Sequence, residues 1–279
     1  MNEKYKVAYQ GVPGSYSYQA MFEYFGNNIA ITNKQFFPEV FEAISKGEAE
    51  YGIVPFENST TGGVYEVFDL LQETDLSIVG ERCIEVKHQL IGQPQATFET
   101  VDTVYSHPQA LEQCSRFLRD HQFQSVPTSN TAVAVQMVKE GKQTNIAALG
   151  SAFAAGLYGL KILKNDVNNY FNNITKFIIL HKNKRDDKTN DKISLVFTTA
   201  HKPGALYQAL GFFAQNEINL LKLISRPTRN TPWEYSYFVD IEGNQGDWKV
   251  QRDLKDLKAS SPHFKIFGNY RAHHLEAPN

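Results

Sequence analysis

Apolar residues recur along this chain in two rhythms, and the rhythm changes once. Short apolar runs punctuate the first part: Val7–Tyr9, Gly52–Pro55, Ser77–Val79, Val86–Ile91, Thr103–Tyr105, Ile146–Leu149 and Phe177–Leu180. Each is bounded by polar or turn-forming residues and reads as a strand. Stretches of helical period lie between many of them. The clearest runs from Pro108 to His121. Proline suits a first helical turn, and Ala110, Leu111, Cys114, Phe117 and Leu118 then share one face, with Gln109, Gln113, Arg116 and Asp120 opposite. Alternation of this kind predicts an α/β domain on a largely parallel sheet, whose ligands bind in crevices at the carboxyl ends of strands.

From Lys182 to Lys192 the chain reads KNKRDDKTNDK, with eight charged residues in eleven and no apolar side chain, so the pattern predicts a solvated linker. The order then becomes strand (Ile193–Thr199), helix opened by Pro203-Gly204 with Leu206, Ala209, Leu210 and Phe213 on one face, strands Ile218–Ser225 and Tyr235–Ile241, helix (Asp247–Lys258) and strand (Lys265–Tyr270). That is β-α-β-β-α-β, the ferredoxin-like plan. The expected division is a first domain at 1–181, a linker at 182–192 and a small domain at 193–272.

Composition agrees and narrows the class. At roughly 150 residues per domain, 279 residues make about two domains. Lys plus Arg is 28 against 30 for Asp plus Glu, so the basic excess usual in a nucleic-acid binder is missing. Cys83 and Cys114 stand far apart and form no CxxC, which fits reduced thiols in a cytoplasmic protein. No secretory h-region and no run of about 18 apolar residues occurs, so neither export nor a membrane span is expected. Asn58-Ser59-Thr60 and Asn173-Ile174-Thr175 match the glycosylation pattern, but without a secretory signal these asparagines need another explanation.

Four segments carry candidate chemistry. Gly11-Val12-Pro13-Gly14-Ser15-Tyr16-Ser17 is either an anion cradle or an ordinary strand-to-helix turn capped by serine; it matches neither GxGxxG nor the P-loop. Val54 to Gly63 ends an apolar strand in Glu57, Asn58, Ser59 and Thr60, either crevice groups for a small substrate or a polar loop with a cap. Ser106-His107-Pro108-Gln109, with Gln113 one turn on, offers a hydroxyl and amides that hydrogen-bond without adding charge, or else a surface helix face. Asn172 to Phe177 sets Thr175 and Lys176 just before a strand. Asn165 to Asn173 holds five asparagines in nine residues, which suggests a loop tied by side-chain-to-backbone hydrogen bonds. No metal-ligand spacing and no GxSxG elbow appears, leaving acid–base chemistry to hydroxyls, amides and Glu57.

Together these pieces resemble the prephenate dehydratase family over nearly the whole chain. Residues 9–17 resemble its GxxGxYS-type segment, Pro55-Phe56-Glu57-Asn58-Ser59 its P-[IV]-E-N-[ST] segment, and Ser106 to Cys114 its SHPQ…QC block. Thr175-Lys176-Phe177 stands where the family has T-R-F. Gly204-Ala205-Leu206 and Ser225-Arg226-Pro227 resemble the GAL and E-S-R-P segments of an ACT regulatory domain.

The resemblance implies a two-lobed α/β catalytic domain of the periplasmic-binding-protein kind followed by a ferredoxin-like ACT domain. It implies loss of CO2 and water from prephenate to give phenylpyruvate in L-phenylalanine biosynthesis, with no organic cofactor and no metal. Thr175 is the implied catalytic hydroxyl, with Asn58, Ser106 and Gln113 beside it, and Ser15, Glu57, Ser59, Thr60, Lys176 and Phe177 about the substrate. Gly204, Ala205, Leu206, Asn219, Leu220, Ser225, Arg226 and Pro227 are the implied L-Phe effector residues. A homodimer or homotetramer through the ACT domains is implied, as is a monofunctional form, because the first strand begins soon after Met1. Two residues depart from the pattern: Lys176 replaces the Arg of T-R-F, and Ile224 replaces the Glu of E-S-R-P. Arogenate dehydratase and a non-catalytic amino-acid sensor are the alternative readings.

Overall fold

Buried Val7, Ala8 and Tyr9 build strand β1 (Tyr5–Gln10), and helix α1 (Tyr16–Phe25) carries the chain back to the parallel β2 (Ile29–Lys34). The computed structural model describes residues 4–170, 172–185, 187–228 and 233–275. Next come α2 (Phe37–Lys46), β3 (Tyr51–Asn58), the two-residue β4 (Gly62–Gly63), α3 (Tyr65–Glu73), β5 (Ser77–Glu85) and β6 (Gln89–Gly92). Then follow β7 (Thr103–Ser106), α4 (Pro108–Gln113), α5 (Ser115–Asp120), β8 (Gln124–Pro127), α6 (Thr131–Gly141), β9 (Ile146–Gly150), α7 (Ala152–Tyr158), β10 (Lys161–Lys164) and β11 (Ile174–His181). The last elements are β12 (Lys192–Thr198), α8 (Ala205–Gln215), β13 (Leu220–Pro227), β14 (Tyr235–Glu242), α9 (Trp248–Ser260) and β15 (Phe264–Tyr270).

Three sheets result, ordered β2-β1-β3-β11-β5 with β4 beside β3, β10-β6-β9-β7-β8, and β13-β14-β12-β15. The chain divides into two compact units. One spans Met1–Val40, Ile53–Tyr65 and Arg82–Phe177; the other spans Phe41–Gly52, Glu66–Glu81 and Ile178–Asn279.

In the first unit the second sheet is covered on both faces. Leu90, Val104 and Leu149 pack with Cys114 and Leu118, while Ile91 and Ala148 pack with Val135, Val138, Ala154 and Ala155. This sheet is mixed, not largely parallel as the alternation predicts. β7 runs parallel to β8 and β9, but β6 is antiparallel to both β9 and β10. β6 follows β5 without a crossover helix, and no helical connection forces a parallel pairing on it. The run predicted as one strand, Val86–Ile91, breaks at residues 86–88, where the chain passes from β5 to β6.

The helix predicted from Pro108 to His121 is two helices. Asn169 enters between them: its N–H donates to Gln113 O (2.7 Å), its Nδ2 to Glu112 O (3.1 Å) and to Ser115 Oγ (3.0 Å), and its Oδ1 accepts from Arg116 N–H (3.1 Å). One side chain thus serves the free carbonyls of α4 and a free N–H of α5, the usual way an inserted group breaks a helix. The asparagine-rich segment is therefore a capping device; its Phe171 lies outside the described residues, as does Asp186 of the charged run.

The second unit carries the antiparallel sheet, with β12 between β14 and β15 and the order β-α-β-β-α-β. Ile193, Leu195, Phe197, Val239 and Ile241 face α8 and α9 through Phe213, Val250, Leu254 and Leu257. The opposite face takes α3, with Phe68 against Phe238 at 4.7 Å between ring centres. The Lys265 ammonium donates to Leu71 O (2.8 Å), Gln72 O (3.2 Å) and Thr74 O, closing the carboxyl end of α3. A Cβ on Gly268 would lie 2.0 Å from Ile78 O, so only glycine lets these two backbones meet.

The charged run is not wholly solvated, because its last residue turns inward. Lys192 is 2% exposed; its ammonium meets Glu81 (2.7 Å) and Asp240 (3.3 Å) and lies over the Tyr270 ring. Lys222 reaches the same Asp240 (3.3 Å), and Ser194 joins Asp240 to Tyr270. Burial alone would lower the Lys192 pKa; Tyr270, Asp240 and Glu81 together outweigh it and hold the ammonium charged. Both cysteines are buried and in no disulfide, burial raising the Cys114 thiol to about 12. Among the described residues no helix is long and apolar enough to cross a membrane, and no cluster of His, Cys, Asp and Glu is placed to hold a metal.

Breaking a buried charge network from one side costs far more than the net worth of the pair. Lys192→Met, which strands Glu81, should lower unfolding free energy by about 3–5 kcal/mol in urea titrations, and adding Glu81→Leu should recover part of the loss. An unchanged midpoint for the single variant would mean that the network is energetically idle.

Candidate active site

Asn58 ends β3, and its carboxamide is fixed from behind. Its Oδ1 accepts from the backbone N–H of Thr60 (3.0 Å) and Thr61 (3.0 Å) and from the Thr61 hydroxyl (3.2 Å). Backbone donors cannot reverse, so Nδ2 must point the other way. There it donates to Asn173 Oδ1 (2.6 Å), Thr175 Oγ1 (2.9 Å) and Ile174 O (3.3 Å). The two glycosylation-like asparagines are thus hydrogen-bonded to each other, which gives both a structural role.

The half-buried Thr175 lies in β11, which begins at Ile174 rather than at Phe177 as the apolar run predicts. Ser59 holds the start of that strand in register: its N–H donates to Ile174 O (2.8 Å), its hydroxyl donates to Asn172 O (2.8 Å) and accepts from Ile174 N–H (2.9 Å). Because Asn58 donates to Thr175 Oγ1, the threonine hydrogen is left to donate outward. Among the described residues none accepts it.

The polarity continues away from Asn58. Asn173 Nδ2 donates to Gln113 Oε1 (3.1 Å), and the same oxygen faces His88 Nε2 (3.1 Å). His88 Nδ1 faces the Tyr16 hydroxyl (3.4 Å), which also reaches Lys87 O (3.2 Å). The His88 N–H donates to Asn168 Oδ1 (2.6 Å). His88 is 2% exposed, and burial, outweighing the Gln113 hydrogen bond, takes its pKa from 6.5 down to about 4. Burial also raises the Tyr16 phenol above its ordinary value.

Asn58, Ser59, Gln113 and Thr175 are therefore brought into one hydrogen-bonded array, and Thr60 contributes through its backbone. Ser15 caps α1, accepting from Tyr18 N–H at 3.3 Å. Ser106 is fully buried, and its hydroxyl is engaged by Leu149 O (2.9 Å), so it ties β7 to β9 and has no outward donor. Phe177 is buried in the core and supports β11. Lys176 stands 3.6 Å from Glu57, each about a quarter exposed, so the two charges largely answer each other.

Of the eight residues expected to bind an effector, five line two hollows of the second unit. Gly204, Ala205 and Leu206 line one of about 360 Å3 with Tyr207 and Tyr235; Arg226 and Pro227 line another of about 410 Å3, where Arg226 pairs with Asp69. Asn219 accepts from Glu242 N–H (3.0 Å), Leu220 packs toward α8 and α9, and Ser225 is exposed. Ile224 is half-buried opposite Phe238, on the same face as Lys222 and Arg226.

Sequence reasoning missed His88 and gave Tyr16, Asn168 and Asn169 no role at the site, though it expected the asparagine-rich loop to be tied by side-chain-to-backbone hydrogen bonds, as Asn168 and Asn169 are. The signal for His88 was its place inside the apolar run Val86–Ile91, where a buried polar group requires partners.

Residues 7–185 match the family model described as Prephenate dehydratase. The bifunctional chorismate mutase/prephenate dehydratase of Escherichia coli (strain K12) is 34% identical over 275 residues, covering 95% of this chain and 70% of that protein. Among solved structures, GqqA, described as a novel type of quorum quenching acylase, shares 31% identity at a TM-score of 0.87, covering 96% of this chain and 98% of that one. The prephenate dehydratase of Arthrobacter aurescens in complex with L-Phe shares 25% at a TM-score of 0.86, covering 96% and 90%.

The depressed pKa of His88 makes stability depend on pH. Unfolded, the imidazole takes a proton near 6.5; folded, only near 4. Between these values the unfolded chain binds more protons, so stability present above pH 6.5 is lost as pH falls toward 4. The loss should approach roughly 3 kcal/mol. Denaturant titrations of the native chain and of His88→Gln from pH 7 to 4 should diverge by that order; parallel curves would place His88 in contact with water.

Proposed function

The chain belongs to the prephenate dehydratase family, and from that membership we propose that Thr175, held by Asn58, carries the proton step of the family reaction. The enzyme converts prephenate to phenylpyruvate. The bond to the ring carboxylate breaks, its electron pair enters the ring, and the C4 hydroxyl leaves as water with one added proton, drawn in the end from solvent. Aromatisation supplies the driving force, so the protein has to align two breaking bonds and help the hydroxyl depart.

The observation that carries this assignment is the Asn58 Nδ2 to Thr175 Oγ1 hydrogen bond. A free threonine is a poor acid. Here its O–H points away from Asn58 toward a ligand, and the amide N–H behind it stabilises charge developing on Oγ1 as the proton shifts. Gln113 Nε2, which no described residue accepts from, supplies a neutral donor for a substrate carboxylate. Lys176 adds a weakened positive charge beside Glu57. Ser106, buried, positions the end of β7.

We also propose that residues 193–272 form an ACT regulatory domain after a catalytic domain at 1–181, and that L-Phe is its effector. Support comes from the ferredoxin-like order of the antiparallel sheet and from the hollow beneath Gly204. Five of the eight expected effector residues are divided between two hollows of one chain, which suits a site completed by a second copy. β13 is an edge strand, and its Leu221 (43% exposed) and Leu223 (42%) are open. Such an edge invites pairing with the same strand of another copy. Two cysteines kept as thiols support a cytoplasmic setting.

Thr175→Ala should lower kcat for phenylpyruvate formation by about 10²–10⁴-fold with an unchanged melting temperature, the scale of a lost proton-transfer group. Near-native turnover by that variant would remove Thr175 from the chemistry. A parallel assay with arogenate sets the substrate preference by kcat/KM. Millimolar L-Phe should inhibit the native chain and raise its Tm by mass action. Leu221→Lys with Leu223→Lys should give a monomer by light scattering, with turnover retained and inhibition lost; an inhibited monomer would show that the effector site lies within one chain.

A further inference from the structure

A side-chain amide presents two ends of nearly equal shape and opposite polarity. Gln113 is useful to an anionic substrate only if Nε2, and not Oε1, faces it. Its reversed rotamer would aim a carbonyl at a carboxylate. Something must therefore fix the amide, and the structure supplies two groups on one oxygen: Asn173 Nδ2 and His88 Nε2, each 3.1 Å from Gln113 Oε1.

The direction of each contact follows from the backbone outward. Thr60 and Thr61 N–H fix Asn58 Oδ1; Asn58 Nδ2 then fixes Asn173 Oδ1; Asn173 Nδ2 must donate to Gln113 Oε1. An oxygen that already accepts from Asn173 can meet His88 Nε2 only as an N–H donor. His88 is neutral, so Nδ1 is left as an acceptor, and the one hydrogen of the Tyr16 hydroxyl lies between it (3.4 Å) and Lys87 O (3.2 Å), shared by the two. The ring is held by burial, by the edge of Tyr16 at 6.1 Å between ring centres and by Asn168 on its backbone N–H.

We propose that His88 is a positioning residue for Gln113: as the neutral Nε2–H tautomer it locks the Gln113 carboxamide with its hydrogens toward the substrate carboxylate. Reversing Gln113 would set its NH2 against two donors at once. Without the imidazole one donor, Asn173 Nδ2, opposes reversal instead of two. His88 touches neither substrate nor Thr175; it acts through Gln113. Proton transfer to the leaving hydroxyl needs nothing from it.

This inference rests on the assignment of prephenate as substrate and of Gln113 as a carboxylate donor. Steady-state kinetics on prephenate test it. His88→Leu, with no donor, should lower kcat/KM by roughly 10- to 100-fold, the scale of a misdirected buried hydrogen bond. The loss should fall mainly on KM, since the carboxylate is gripped in ground and transition states alike. His88→Gln, whose Nε2 can take the place of the ring nitrogen, should stay within about threefold of native. In a Gln113→Leu background, His88→Leu should cost less than about twofold, because the group it orients is gone. A folded His88→Leu with native kcat/KM, a His88→Gln as impaired as the leucine variant, or losses that multiply in the double variant would each overturn the proposal.

Nitrogen-15 NMR of the native protein decides the point even if the leucine variant does not fold. The expected signal is a neutral imidazole protonated at Nε2 between pH 5.5 and 8, and a proton at Nδ1 would overturn the assignment. If the native chain fails to turn over prephenate, the substrate reading falls, while the tautomer measurement still reports whether His88 fixes Gln113.

Discussion

The site depends on two backbone N–H groups. Thr60 and Thr61 hold the Asn58 carbonyl, and every later polarity follows from that. A side-chain donor in their place would let the whole row of amides invert as a unit, since each member can turn to suit its neighbour. Backbone donors cannot turn. They convert the choice of amide rotamers at Asn58, Asn173 and Gln113 into a consequence of how the chain bends after β3. The same bend presents Ser59 to β11 and sets Thr175 in line with Asn58. Local loop geometry, strand register and the orientation of the Thr175 hydroxyl are thus one fact seen at three scales.

Burial gives this array its rigidity. A polar group shielded from water must be paired or it destabilises the fold by about 1–3 kcal/mol, so His88, Gln113 and Asn173 have few alternative arrangements that satisfy all their donors. The second unit applies the same rule to full charges. Lys192, Glu81, Asp240 and Lys222 hold each other in a setting where none would be tolerated alone. In both places the polar network fixes one arrangement among several that apolar packing would accept equally well.

Much of this was legible in the residue pattern, and the failures have a common cause. Apolar period located most strands of both parts and gave the small antiparallel sheet its order, because burial on one face imposes the spacing directly. Asn58, Gln113 and Thr175 were also legible as candidates, from the motifs that carry them at the end of β3, the end of α4 and the start of β11. The break at Cys114 was not. Ala110, Cys114 and Leu118 keep helical spacing across it, and the cause is Asn169, more than fifty residues away. Lys192 looked solvated for the same reason: its partners Glu81 and Asp240 are distant in sequence. Ser106 and Phe177, expected near a substrate, have buried side chains, which the motif did not foretell: it marks a position in the fold without saying which way the side chain faces. Periodicity reports burial; it cannot report which remote polar group arrives to meet a buried one.

The near-balance of charge, −2 over the whole chain, now has a chemical sense at the site. Prephenate carries two carboxylates, yet the reaction turns one into neutral CO2. A strong cation aimed at that carboxylate would stabilise the ground state more than the transition state and slow its loss. Neutral donors avoid the penalty: their hold weakens little as charge moves into the ring. Lys176 is consistent with this, because Glu57 at 3.6 Å tempers its charge and an ammonium lacks the paired grip of a guanidinium. The array of amides and one hydroxyl therefore suits a reaction in which the enzyme must hold an anion firmly enough to align it and loosely enough to let its charge depart.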